Sequence, residues 1–312
     1  MTWSSAETGV LARAVSQAPS VHNLSPWTAE IRPSGAELYE RFGVTLPRHD
    51  PTGRDRVISC GAALANLELG LRTLGWEPET ELLPEDAHPD LLARVTSSRR
   101  HEATADEIAC YSAIFRRRSY RAPFATQLVA DDDLRSLTAG TDGVQARIID
   151  RAAETGPLAE LLSHAAQILR GDRAYQRELR AWSSQFPEPP AEESTLPWTG
   201  LVTARTHLPD TVTLARRLAR ESILVLLTVD DSRGDHVLAG RAMELIWLAA
   251  VAHGLAGSVL TQPLHLREIR AGLIEELDLP GFPQAILRLG HPVIAAPPAF
   301  SAAIPHDRRR SS

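Results

Sequence analysis

Two stretches of this chain can be laid on one another without a gap, and this self-match constrains its architecture more than any other feature. With Gly61 placed on Gly240, Ala63 meets Ala242, Leu64 meets Met243, Leu67 meets Ile246, Leu69 meets Leu248, Gly75 meets Gly254 and Pro84 meets Pro263. In both copies an apolar helical pattern stops at a glycine, the residue that most readily ends a helix in the left-handed conformation, and a proline follows a short stretch later. The first copy carries Leu64, Leu67, Leu71 and Leu74 on one stripe. The second is apolar nearly all round from Leu245 to Ala252, the pattern of a central buried helix. Two apolar helices can match by chance, so a single unduplicated fold stays open on this observation alone. The working architecture is a doubled unit, divided near residues 100–112 where Arg99, Arg100 and His101 interrupt the apolar pattern. The halves are then 1–110 and 111–312.

The remaining patterns mix both periods and give an α+β class. Ser4 and Glu7 have capping-box spacing ahead of Val10, Leu11, Ala14 and Val15, a helix that Pro19 stops. Trp27 to Arg32 and Ala36 to Phe42 alternate around Pro33, Ser34 and Gly35 as a β-hairpin. Ser222 to Val229, Ala285 to Gly290 and Ala146 to Asp150 read as strands, and Leu158, Leu161, Leu162, Ala165 and Leu169 as a helix. From 183 to 210 the pattern fails amid Pro187, Pro189, Pro190, Pro197 and Pro209, a stretch too long for a plain connection. It reads as a lid, which Trp198 favours, or as a disordered insertion.

Composition removes several chemistries. All 33 basic residues among the 312 are arginine. Lysine Schiff bases, the Walker-A lysine, the kinase β3 lysine and Ser-Lys dyads are therefore excluded. Every cationic contact is a guanidinium, a planar fork suited to phosphates and carboxylates. A net charge of -6 argues against nucleic acid or an anionic membrane as partner. Cys60 and Cys110 make neither a disulfide framework nor a metal site, and no metal is expected. No stretch approaches a membrane span and Met1 to Ala14 lacks a signal pattern, so a cytoplasmic location is expected. Both cysteines read as small buried apolar residues and His253 as a satisfied core histidine.

Two constellations carry chemistry. Arg116, Arg117, Arg118, Ser119 and Arg121 repel one another unless solvated or matched by an anion, and Ser119 adds a hydroxyl donor, so a phosphate monoester is the natural partner. A solvated basic turn is the alternative. The second runs from Ala18 to Trp27, where a helix ends and a short loop presents Ser20, His22 and Asn23 ahead of Pro26 and Trp27. Small polar donors on a rigid turn can read the edge of a heterocycle, although a plain helix C-cap with Asn23 in a turn fits the same residues.

Pro19-Ser20-Val21-His22-Asn23-Leu24-Ser25-Pro26-Trp27 resembles the flavin-ring loop of the nitroreductase family, Pro-Ser-x-x-Asn-x-Gln-Pro-Trp, with Ser25 in place of Gln. Arg117-Arg118-Ser119-Tyr120-Arg121 resembles that family's Arg-Arg-Ser-x-Arg phosphate motif. Asp50-Pro51-Thr52-Gly53-Arg54 with Ile58 to Leu64 is similar to the tandem actinobacterial branch, the Acg-type FMN-binding oxidoreductases. Ordinary members carry the arginine motif first and pair two chains to build two flavin sites. Here the order is inverted, so one complete site is assembled from the ring loop of the first half and the phosphate motif of the second.

The resemblance implies two tandem nitroreductase-like halves forming an intramolecular pseudo-dimer with one FMN and a lid over 183–210. Arg117 and Ser119 then bind the phosphate, Arg121 sits near the ribityl chain and the N1/O2 edge, and Ser20, His22 and Asn23 meet the ring. Thr261 and Gln262 stand where the family places groups near N5. Arg308 and Arg309 are candidates for a late phosphate contact or an exposed tail. His22 is a packing or hydrogen-bonding histidine more readily than a general acid. The activity implied is transfer of a hydride from NAD(P)H through FMN to a small acceptor such as a nitroaromatic or quinone. The rival is a non-catalytic FMN-holding protein whose lid closes the ring face. A monomer suffices for the site, and a homodimer is compatible with it.

Overall fold

The computed structural model describes residues 3–183, 202–204, 206 and 208–293. The first half runs α1 (Ser5–Ser16), β1 (Trp27–Arg32), β2 (Gly35–Glu40), α2 (Arg54–Thr73), β3 (Trp76–Leu82), β4 (Leu91–Arg100) and α3 (Ala105–Ile114). The second runs α4 (Asp131–Leu137), β5 (Gln145–Ile148), α5 (Thr155–Gly171), α6 (Arg173–Ser183), α7 (Thr211–Leu218), β6 (Ser222–Thr228), α8 (Arg233–Ala252), β7 (Ala256–Leu260), α9 (Arg267–Glu276) and β8 (Phe282–Gly290). Residue 110, the edge of the sequence division, lies within α3.

Local signals set the helix ends. Ser4 and Glu7 close the anticipated capping box on α1, and Ser232 with Asp235 closes another on α8. α2 begins after Gly53, whose φ of 75° is left-handed, and the Asp50 carboxylate accepts from the backbone N–H of Asp55 (3.1 Å) and Arg56 (2.8 Å). That carboxylate satisfies two of the donors a helix start leaves free. Gly75 and Gly254 follow the two long helices with φ of 86° and 79°, the terminator role their positions suggest.

α2 and α8 are both 20 residues long and begin and end in the register of the internal match, Arg54 on Arg233 and Thr73 on Ala252. They pack directly on one another at two glycines. A methyl group on Gly61 would lie under 3.0 Å from the Val237 carbonyl oxygen, and one on Gly240 equally close to that of Ile58. Ile58 and Val237 are themselves matched positions, so the contact is reciprocal, as across a two-fold axis. The sheets repeat the pattern: two four-stranded antiparallel sheets have the orders β1-β2-β4-β3 and β5-β6-β8-β7. The halves differ in their insertions. β1 and β2 join by a tight turn at Pro33 and Ser34, whereas α5, α6 and α7 stand between β5 and β6. α6 and α7 were not anticipated, because the proline-rich stretch between them masks both patterns.

The main core gathers both long helices and the inner faces of both sheets, with Leu38, Leu64, Leu92, Met243, Trp247 and Leu287 buried together. A second core forms where α5, α7 and α9 cover the other face of β6 and β8. Arg288 of β8 is fully buried, its guanidinium held by Glu221 at 2.5 and 2.7 Å and by Ser258 at 2.9 Å. Removing the carboxylate strands a charge away from water, so Glu221→Ala should lower unfolding free energy by ~3 kcal/mol in a denaturant titration. Two expectations need correction. His253 is exposed at the end of α8, its Nδ1 bonded to Ala249 O at 2.9 Å, because the helix stops where its buried stripe would have continued. Cys60 is buried as anticipated, but Cys110 is only half-buried on the outer helix α3. Among the described residues no helix is long and apolar enough to cross a membrane.

Candidate functional site

The loop after α1 is held in an uncommon conformation. His22, Asn23 and Ser25 have φ of 53°, 55° and 45°. Such values in non-glycine residues persist only where the surroundings over-determine them, as at binding sites. Ser20 Oγ accepts from the Ser25 N–H at 3.0 Å and closes the loop, while Arg41 N–H (2.9 Å) and the Cys60 thiol (3.4 Å) donate to Pro26 O and fasten its exit to the core.

His22 then meets the N-terminal end of α2. Its Nε2 lies 2.9 Å from Nδ1 of the buried His49, whose own Nε2 lies 3.3 Å from the Tyr175 carbonyl oxygen. A carbonyl only accepts, so His49 Nε2 carries a proton. In the neutral ring His49 Nδ1 is then an acceptor, and His22 Nε2 is the donor to it. Both rings are kept neutral. Burial, then the neighbouring His49, then Arg121 push His22 down to about 4, and burial lowers His49. His49 stacks on Tyr175 with ring centres 4.0 Å apart, and His22 faces Trp182 at 6.2 Å. Both aromatic residues belong to α6, whose Glu178 also accepts from His49 N–H at 2.8 Å.

The turn after β7 joins the same cluster. Gln262 is buried, its Nε2 donating to His49 O at 3.4 Å and its Oε1 without a partner among the described residues. Thr261 Oγ1 donates to the Asp55 carboxylate, which also binds His265 Nε2 (2.9 Å) and Arg54 (3.1 Å). Burial alone would raise the Asp55 carboxyl, but His265 and Arg54 hold it well below the usual carboxylate range. Asp50, Asp55 and His265 bring ligand atoms within 4.8 Å of one another. Asp50 is already the helix cap and Asp55 already holds three donors, one of them a guanidinium, so the cluster is a closed hydrogen-bond network.

The arginine motif divides its members. Its segment lies on the edge of the second sheet, where Tyr120 N–H donates to Gly257 O at 2.8 Å beside a Ser119–Gly257 bridge. Arg116 and Ser119 are exposed. Arg118 folds back onto the carbonyls of Arg117 and Phe115. Arg117 is buried, donating to Gln17 O at 3.1 Å, lying 4.5 Å over the Trp247 ring and 3.3 Å from Glu244. Arg121 differs from all of these. Its side chain is exposed, and the protein around it lowers its guanidinium below the ordinary range. Among the described residues it has no ion-pair or hydrogen-bond partner.

Of the anticipated site residues, Ser20, His22 and Asn23 share one loop, the charge of Arg121 reaches His22, and Thr261 and Gln262 join the loop through Asp55 and His49. β7 carries Ser119 beside its start and Thr261 after its end. Arg308, Arg309, Trp198 and most of the proposed lid lie outside the described residues. Sequence reading missed His49, Asp55, Tyr175, Trp182, Glu244 and His265. A signal existed for two of them, since Tyr175, Leu179 and Trp182 fall at helical spacing on one face of α6.

No protein-family model matches the chain. A protein of Mycobacterium tuberculosis strain H37Rv named "Putative NAD(P)H nitroreductase" is 31% identical over 294 residues, 90% of this chain and 84% of that protein. A second protein of that strain, "Putative NAD(P)H nitroreductase acg", is 28% identical over 310 residues, 93% of this chain and 91% of the relative. Among solved structures, a nitroreductase with bound FMN from Bacteroides fragilis aligns with a TM-score of 0.41 at 13% identity, over 65% of this chain and 98% of that one. An FMN-dependent nitroreductase from Mycobacterium smegmatis in complex with NADPH aligns with a TM-score of 0.40 at 18% identity, over 60% of this chain and 88% of that one.

Proposed function

The chain belongs to the nitroreductase family, in its Acg-type branch, and from that premise we propose that it is an FMN-dependent NAD(P)H oxidoreductase with one flavin site, reducing a small acceptor such as a nitroaromatic or quinone. The halves 1–110 and 111–312 form an intramolecular pseudo-dimer in this reading, so a single chain completes the site. The equal strand orders and the reciprocal glycine contact of α2 with α8 support it.

The observation that carries the reading is Arg121, an exposed guanidinium without a counter-charge among the described residues, whose charge reaches His22 in the strained loop. An anionic group with a polar ring edge fits that surrounding, and the unpartnered Gln262 Oε1 fits a ring donor. When bound, FMN supplies the hydride-accepting centre. The chain's own part is to hold and bias it. With FMN bound, Arg121 would hold the ribityl chain and N1/O2 edge and favour negative charge there, and Arg117 with Ser119 would hold the phosphate end. Ser20, His22 and Asn23 position the ring from the first half, with Thr261 and Gln262 beside N5. His49 keeps His22 in one tautomer, so the ring is met by a neutral imidazole.

Anaerobic addition of NADPH to the purified yellow protein should bleach the flavin absorbance, with full recovery of colour on adding a quinone. An FMN-loaded protein that NADPH leaves yellow sinks the reductase reading. That result favours the second reading, a flavin-holding protein whose lid over 183–210 closes the ring face. The contact of Trp182 with His22 at the end of α6 supports this alternative. Bleaching that appears only after deletion of the lid would select it.

A further inference from the structure

Glu244 is the most anomalous side chain in the molecule. It is fully buried on α8, and among the described residues neither carboxylate oxygen has a hydrogen-bond partner. A carboxylate in that state is costly unless it is neutralised or paired. Arg117 Nε lies 3.3 Å away but outside hydrogen-bonding geometry, and Nε is itself unsatisfied. Arg117 is thus caught between a buried acid on one side and, on the other, the motif segment that the flavin reading assigns to a phosphate. A single guanidinium cannot fully serve two anions in a site of low dielectric.

Resting on that flavin reading, we propose that Glu244 is a positioning residue that competes with the cofactor phosphate for Arg117, so that loading the cofactor is coupled to uptake of one proton by Glu244. In the free protein a Glu244 carboxylate pairs with Arg117. As the phosphate dianion approaches, Arg117 turns its charge to it, and Glu244, left buried without its counter-ion, takes a proton from solvent. Well above pH 7 one proton is consumed for each cofactor bound, and no other bond changes.

The surroundings leave Arg117 alone in this role. Among the described residues it is the one charged group acting on Glu244, and burial outweighs it to push the carboxyl up to about 7. Of the elements packed on α8, β6 and β7 contain no charged residue. On α2, Glu68 holds Arg241, Arg54 holds Asp55, Arg56 holds Glu40, and Arg72 holds Glu77 and Glu107. Asp106 and Glu107 of α3 act on Cys110. On α4, Asp132 holds Arg135, Asp131 faces Arg151 and Asp133 is exposed, while Arg288 of β8 holds Glu221.

The sign follows from linkage. Binding that raises the affinity of Glu244 for a proton weakens as pH climbs past the free-state value of about 7. FMN itself is unchanged over that window, since a phosphate monoester loses its second proton near ~6. The test is calorimetric titration of FMN into the deflavinated full-length protein at pH 7 and 8.5, in two buffers of different ionisation enthalpy. The dissociation constant should rise about tenfold between the two pH values, with net proton uptake at pH 8.5. Glu244→Gln should bind with a dissociation constant independent of pH and with no proton uptake. Equal wild-type affinity at both pH values without proton uptake overturns the proposal, as does a Glu244→Gln protein with the wild-type slope. The wild-type arm stands even if the variant does not fold. Absence of FMN binding at either pH would instead overturn the flavin reading beneath it.

Discussion

Arg121→Ala should purify nearly colourless and bind FMN about a hundredfold more weakly than wild type, measured by quenching of flavin fluorescence. That factor corresponds to ~2.7 kcal/mol, within the ~1.5–3 kcal/mol of a hydrogen bond to a charged group. The reason lies in the free protein. Arg121 keeps exposed surface and has no acid among the described residues, so a polar cofactor group gains its attraction without first breaking an internal pair. Arg117 and Arg118 already hold partners, so each contributes less per charge. At saturating FMN, Arg121→Ala should also lower the flavin reduction potential, because a cation near the N1/O2 edge favours the charge that reduction places there. Arg121→Lys should recover part of the affinity, since it keeps the charge and loses the fork. Unchanged affinity and potential in Arg121→Ala would remove this residue from the site and leave the arginine-only composition without a role there.

The same residue shows how far the chain could be read in advance. Helices α1, α2, α5 and α8, the hairpin, the buried strand β6 and the register of the two long helices were legible because each depends on spacing along the chain, which burial and hydrogen bonding translate directly into periodicity. Arg121 could be singled out by motif, but its isolation could not. Whether an arginine in a run of four finds an acid depends on what folds beside it, and here Glu244 comes from α8 and the Gln17 carbonyl from the end of α1. The cluster of His49, Asp55 and His265 was invisible for the same reason. Its members are neighbours only because the start of α2 meets the turn after β7, and nothing local marks a polar residue that will be buried by a distant segment. α2 starts after Gly53 under an Asp50 cap, whereas the helical pattern was recognised only from Gly61.

Gly240→Ala should cost about 3–5 kcal/mol in a denaturant titration, a large share of the stability of an ordinary domain. On an exposed helix this exchange is favourable by ~1 kcal/mol, so propensity predicts the opposite sign. Packing decides instead. The added methyl would fall under 3.0 Å from the Ile58 carbonyl oxygen, which belongs to the backbone of a buried helix and cannot swing aside like a side chain. The helices must part at their crossing, and apolar contacts around Leu64, Met243 and Trp247 are lost together. Gly254→Ala is the control: it adds a methyl with nothing within 4 Å, at φ of 79°, and should cost only ~1 kcal/mol of backbone strain. Because Gly61 meets Val237 as Gly240 meets Ile58, Gly61→Ala should cost about as much as Gly240→Ala. The double variant should cost clearly less than the sum, since the first substitution already opens the gap the second needs. Additive costs would mean that the two glycines guard separate contacts, and the two-fold relation between the halves would lose its physical basis at the crossing.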